Sequence, residues 1–173
     1  MLQSIVGAVA IVAGCTAMGF YFAAKEGFRL GDLQEFKKAL MILSSEITHM
    51  RAPLPAACAN IAKRTAKHVS EMFGNFSTLL EANTGETAYR LWAQALEGQK
   101  PNLYLAEEDL DIIEGFGKTL GYLDREMQQS AITYAVEYID DKTAGLISQA
   151  DKNKRMYRSL GIIGGLLLAI VLW

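Results

Sequence analysis

The chain has 173 residues and a formal net charge of −2 at pH 7, about one domain with no bulk positive charge for nucleic acid. Its two cysteines, Cys15 and Cys58, supply no disulfide framework, which fits a reducing compartment for the water-exposed part. Two histidines, His49 and His68, are too few for a recognisable metal cluster, and no cofactor is implied.

Leu2 to Ala24 carries no charged residue. As a helix these residues reach about 34 Å, enough for a hydrocarbon core of about 30 Å, so a retained membrane span is expected. Met1 to Ser4 hold no Lys or Arg, which argues against a cleaved signal. Val12-Ala13-Gly14-Cys15 resembles a bacterial lipobox, giving the alternative of a lipid-anchored or signal-processed extracytoplasmic protein with Cys15 as lipidation site. The missing positive charge and the unbroken apolar run after Cys15 weigh against that alternative. Gly7, Ala10, Gly14 and Ala17 share one face and would allow close helix packing in a membrane.

From Leu30 the apolar positions Leu33, Phe36, Leu40, Leu43, Ile47 and Met50 follow a 3-4-3-4-3 spacing, an amphipathic helix. Pro53 and Pro55 close it and open a second helix over about Leu54 to Arg64, with Leu54, Cys58 and Ile61 inward. Val69, Met72, Phe73, Phe76, Leu79 and Leu80 mark a third segment, one broken helix or two short ones because Gly74 interrupts it. His68 is expected in the connection before it. Thr84-Gly85-Glu86 reads as a turn. The next helix carries Ala88, Leu91, Trp92, Ala95 and Leu96 and is expected to stop at Gly98.

Gln99 to Tyr104 reads as a loop. A fifth helix starts near Ala106, with Leu110, Ile113 and Phe116 on its core face and Gly121 as its stop. Glu107, Glu108 and Asp109 sit in its first turn, where the helix dipole favours negative charge, and the run to Asp111 reads as a solvated helix start. From Asp124 onward there is no proline. Met127, Ala131, Tyr134, Ala135, Tyr138, Ile139, Leu146 and Ala150 recur at helical spacing. A basic collar of Lys152, Lys154, Arg155 and Arg158 leads into fourteen uncharged residues, Leu160 to Trp173. Fourteen residues reach only about 21 Å, so a second span would begin nearer Met156. Gly161 and Gly165 form a GxxxG pair suited to span packing.

The expected fold is all-α: an antiparallel bundle of five to six helices between two terminal transmembrane helices. Residues 1–25 form the first span, 26–155 a cytoplasmic bundle, and 156–173 a second span continuous with the last bundle helix. Lys25 and Arg29 beside the first span and the collar beside the second place the bundle in the cytoplasm and both termini outside. No Walker-type phosphate loop, catalytic triad spacing or calcium-loop pattern stands out, which points to a scaffold and not an enzyme.

The order of segments carries a resemblance. An apolar N-terminal run is followed by Glu46-Ile47, Pro53-Leu54-Pro55-Ala56, Ala88, Trp92, Ala95-Leu96, the stretch Phe116-Gly117-Lys118-Thr119-Leu120-Gly121-Tyr122-Leu123-Asp124, and Gln128. With the collar and apolar tail, this resembles the stage III sporulation protein AB family of endospore formers over essentially the full length. The chain departs at Leu123, where the family usually has Ser. The family is similar in fold to the inner-membrane platform proteins of type II secretion and type IV pilus machines. The resemblance implies a membrane component of the channel between mother cell and forespore, in the mother-cell membrane. Its implied partners are the cytoplasmic ATPase, stage III sporulation protein AA, and other membrane proteins of the complex. Membrane lipid is expected around the spans, and a homo-oligomer remains open. Lys118, Gly121, Asp124 and Arg125 are the candidate partner surface; helix stop and start is the competing reading for Gly121 and Asp124.

Overall fold

The computed structural model describes residues 25–50, 52–120 and 125–172, with the backbone alone at 49, 125, 151 and 153–172. The expected first span, with Gly7, Ala10, Gly14, Cys15 and Ala17, lies outside the described residues, as do Gly121 and Asp124.

Six α-helices and no strand occur among the described residues. Helix α1 covers residues 25–45 and ends in a π-helical turn, Glu46–Met50. Helices α2 (Leu54–Arg64), α3 (Lys67–Glu81), α4 (Ala88–Gln99), α5 (Glu107–Gly117) and α6 (Arg125–Leu172) follow, with a 3-10 turn at Lys100–Asn102. Helix α2 begins as its prolines dictate: Pro53 caps it with extended backbone, and Pro55 occupies the first turn, where a missing N–H costs nothing.

Helix α3 is a single uninterrupted helix. Gly74 does not break it because it faces α2, where a Cβ would meet that of Ala62 in ordinary contact at 3.7 Å. The Ser70 and Ser77 hydroxyls donate to the carbonyls of Ala62 (2.6 Å) and Pro55 (2.8 Å), fixing the same pair of helices. His68 lies in the first turn of α3, not in a connection, since the chain reverses at Lys67, in left-handed backbone with φ 54°. Gly85 supplies the turn between α3 and α4 with φ 81°, open to glycine without strain. Helix α5 ends at Gly117, four residues before the expected stop. Lys118, Thr119 and Leu120 then tighten the chain, their N–H groups donating to carbonyls three residues back.

The core centres on Trp92. Its ring meets those of Phe73, Phe76 and Phe116 edge-on, at centroid distances of 5.4, 5.2 and 5.6 Å, the arrangement preferred by aromatic quadrupoles. The indole Nε1 donates to the Ile113 carbonyl at 2.9 Å, so the one polar atom of the ring is satisfied. Leu33, Phe36, Leu40 and Leu43 of α1 enter the same core, as the 3-4 spacing predicts.

Helices α1 and α6 run antiparallel. Lys37 pairs with Asp140, while the Ser44 and Thr48 hydroxyls both bond Gln129. The residue numbers of these pairs total 173 to 177, so residue 25 comes level with about residues 148–152. The side chains of Ile147 to Ala150 and Lys152 are exposed, and α6 projects past the bundle at that end. At 48 residues it is about 72 Å long. Among the described residues no helix is long and apolar enough to cross a membrane. The apolar run with Gly161 and Gly165 lies in the backbone of α6.

Candidate functional site

The most connected polar cluster joins α1, α5 and α6 at the end where α6 projects. Asp109, 1 % exposed, is its centre. The Arg29 guanidinium donates to both of its oxygens, Nε to Oδ2 at 2.7 Å and a terminal nitrogen to Oδ1 at 2.9 Å. Such a forked pair is the geometry in which an Arg–carboxylate interaction is strongest. Tyr138 of α6 donates its hydroxyl to Oδ1 at 3.2 Å, and the Ala106 N–H donates to Oδ2 at 2.9 Å. Ala106 has no side-chain oxygen, so only this half of a capping box forms at the start of α5.

Glu108 extends the cluster to the surface. It accepts from Arg29 at 3.0 Å and from Lys142 of α6 at 2.8 Å. The Lys142 and Arg29 cations hold the Glu108 carboxyl below the usual carboxylate range. The hydrogen bond to Asp109 pushes the Arg29 guanidinium still further up, so it stays charged. Burial, then the Asp109 charge, push the Tyr138 phenol up, so it remains a donor.

This corrects the expectation of a solvated acidic start to α5. Glu107 and Asp111 are exposed, but Asp109 is sealed in. The sequence held a signal: Asp109, Ile113, Phe116 and Leu120 follow a 4-3-4 spacing, the same stripe as the core face of α5. A carboxylate on such a stripe needs a cation, but in the sequence Arg29 stands 80 positions away, as a charge flanking the first span. Among the described residues, no group of three or more His, Cys, Asp and Glu is placed to hold a metal ion.

Of the candidate partner residues, Lys118 and Arg125 belong to the opposite end of the bundle, while Gly121 and Asp124 lie outside the described residues. Lys118 follows α5, is exposed, and sits over the Tyr89 ring at 5.8 Å. Arg125 opens α6. Within the Phe116 to Asp124 stretch, Gly117 has a packing role, because a Cβ there would penetrate the Trp92 indole. Cys58 is fully buried, and burial pushes its thiol up to about 12, as suits a small core residue.

Residues 4–173 match the family model described as stage III sporulation protein AB. The chain belongs to the stage III sporulation protein AB family. A relative of that name from Bacillus subtilis (strain 168) is 34% identical over 171 residues, covering 99% of each chain. A solved structure of stage III sporulation protein AB superposes with a TM-score of 0.67 at 30% identity, covering 72% of this chain and 97% of that one. The resemblance drawn from the Phe116 to Asp124 stretch and its flanks is therefore correct, and the all-helical fold and a role in sporulation follow from membership.

Proposed function

We propose that this family member is a non-enzymatic platform held in the mother-cell membrane around the forespore, docking a cytoplasmic ATPase to the membrane proteins of a secretion-like channel. The observation that carries the reading is the shared exit of α1 and α6. Residue 25, which follows the uncharged stretch in sequence, lies level with about residues 148–152, where the collar begins. At that end the Asp109 cluster bolts α1 to α6 through α5. A bundle hung by both ends from one surface has this form, and the positive-inside rule gives its cytoplasmic side.

The far end, where Lys118 follows α5 and Arg125 opens α6, is the proposed docking surface, and Gly121 and Asp124 between them in sequence are its further candidate residues. The implied partner is the stage III sporulation protein AA ATPase. A pull-down of the full chain from sporulating cells is expected to recover the ATPase and channel components; recovery of neither overturns the reading. Asp124→Ala separates docking from capping. Loss of a contact abolishes partner recovery at unchanged melting temperature, whereas loss of a cap costs about 1 kcal/mol and lowers melting.

A further inference from the structure

Phe28 and Tyr104 are stacked, ring centroids 4.8 Å apart with 29° between planes, yet Phe28 is 49 % and Tyr104 45 % exposed. We propose that this pair is a lipid-facing anchor that seats the near end of the bundle on the bilayer's headgroup layer. The proposal rests on the membrane reading above.

Three observations point to lipid as the occupant. The first is position. Phe28 stands four residues after Ala24, the last residue of the uncharged stretch, or about 6 Å along a helix. The polar layer flanking the hydrocarbon core is about 5–7 Å thick on each side, so the rings fall at headgroup depth. The second is chemistry. An apolar ring beside a phenol, one body apolar and one edge polar, is what the membrane–water interface selects. Exposed Lys25 adds a cation at the same level.

The third is rigidity. Tyr104 reaches Phe28 from 76 positions along the chain because Asp32, 6 % exposed, accepts the Tyr104 backbone N–H at 2.8 Å. The Asp109 cluster then holds the next residue, Arg29. Loop and helix are pinned so that the two rings project together. Among the described residues the other exposed aromatic is Tyr134, which lies level with about residues 39–43 of α1, several turns from this end.

The test uses the full chain with Cys15→Ala, reconstituted in vesicles of phosphatidylglycerol and phosphatidylethanolamine. Buried Cys58 leaves a single reactive thiol introduced by Tyr104→Cys, Phe28→Cys or Tyr134→Cys, each labelled with an environment-sensitive fluorophore. A phospholipid brominated near its headgroup is the quencher, and resistance to carbonate extraction reports membrane integration separately. The 104 and 28 probes are expected to be quenched at least about twofold more than the 134 probe, with blue-shifted emission, because only they reach the interface. A chain that resists extraction but shows equal quenching at all three positions overturns the anchor and leaves the membrane reading standing. So does a 104 probe that is blue-shifted yet unquenched, which means protein covers it. A chain removed by carbonate overturns both.

Discussion

Gly117 lies against the Trp92 indole so closely that no side chain fits between them. The contact ties the most specific stretch of the family resemblance to the centre of the core. Gly117→Ala forces the indole out of its place among Phe73, Phe76 and Phe116, and is expected to cost about 3 kcal/mol, at the upper end for overpacking. Gly115, two residues earlier in α5, has open space around it. There Gly115→Ala is expected to stabilise by up to about 1 kcal/mol through helix propensity. Thermal melts of the two variants check the pair, and equal melting temperatures would refute the contact.

The Arg29–Asp109 fork has its own mutational signature. Arg29→Met leaves a buried carboxylate without its cation and is expected to cost about 3 kcal/mol, near the low end for such pairs because Arg29 keeps some contact with water. Arg29→Met with Asp109→Leu should recover most of that, leaving about 1 kcal/mol for the lost cap at Ala106. Denaturant midpoints measure both. A double variant less stable than Arg29→Met alone would contradict the account of the cluster.

Glu108 makes part of the stability depend on pH. Its carboxyl titrates lower in the folded protein than its ordinary value of 4.5, because Lys142 and Arg29 bond the charged form. The contribution is therefore full above 4.5 and is lost as pH falls through the folded value. The stability gap between the native chain and Glu108→Gln should be constant from neutral pH down to about 5 and close below 4.5. Denaturant unfolding across that range reads it.

Cys58 is expected to be inert. With its thiol pushed up to about 12 and fully buried, it should not react with a disulfide reagent at pH 8 until the chain unfolds. Its labelling should then follow the unfolding transition measured by fluorescence of Trp92.

Much of the bundle could be read from periodicity, because core residues at 3-4 spacing leave little choice. Leu33, Phe36, Leu40 and Leu43 are buried as their spacing predicts, and so are Cys58 and Ile61, whereas Ile47 and Leu54 are only partly buried and Met50, at the end of its stripe, is exposed. Gly74 misled because an isolated glycine looks the same whether it breaks a helix or lets another approach. The Asp109 cluster escaped because its partners stand 80 and 29 residues away, and charge alone does not reveal pairing across such separations. The early end of α5 was hidden for a related reason: Gly117 answers to Trp92, a long-range contact, while Gly121 offers the louder local signal. Lys118 and Arg125 could be located from sequence at a helix end and start, but whether a partner touches them is a matter of surface chemistry.

The most direct test of the platform account is protease access in inside-out membrane vesicles from sporulating cells. With the bundle on the cytoplasmic side and held by both ends, trypsin added outside such vesicles should cleave the bundle without detergent and leave its terminal fragments in the membrane pellet. A bundle that stays intact until detergent is added would contradict it.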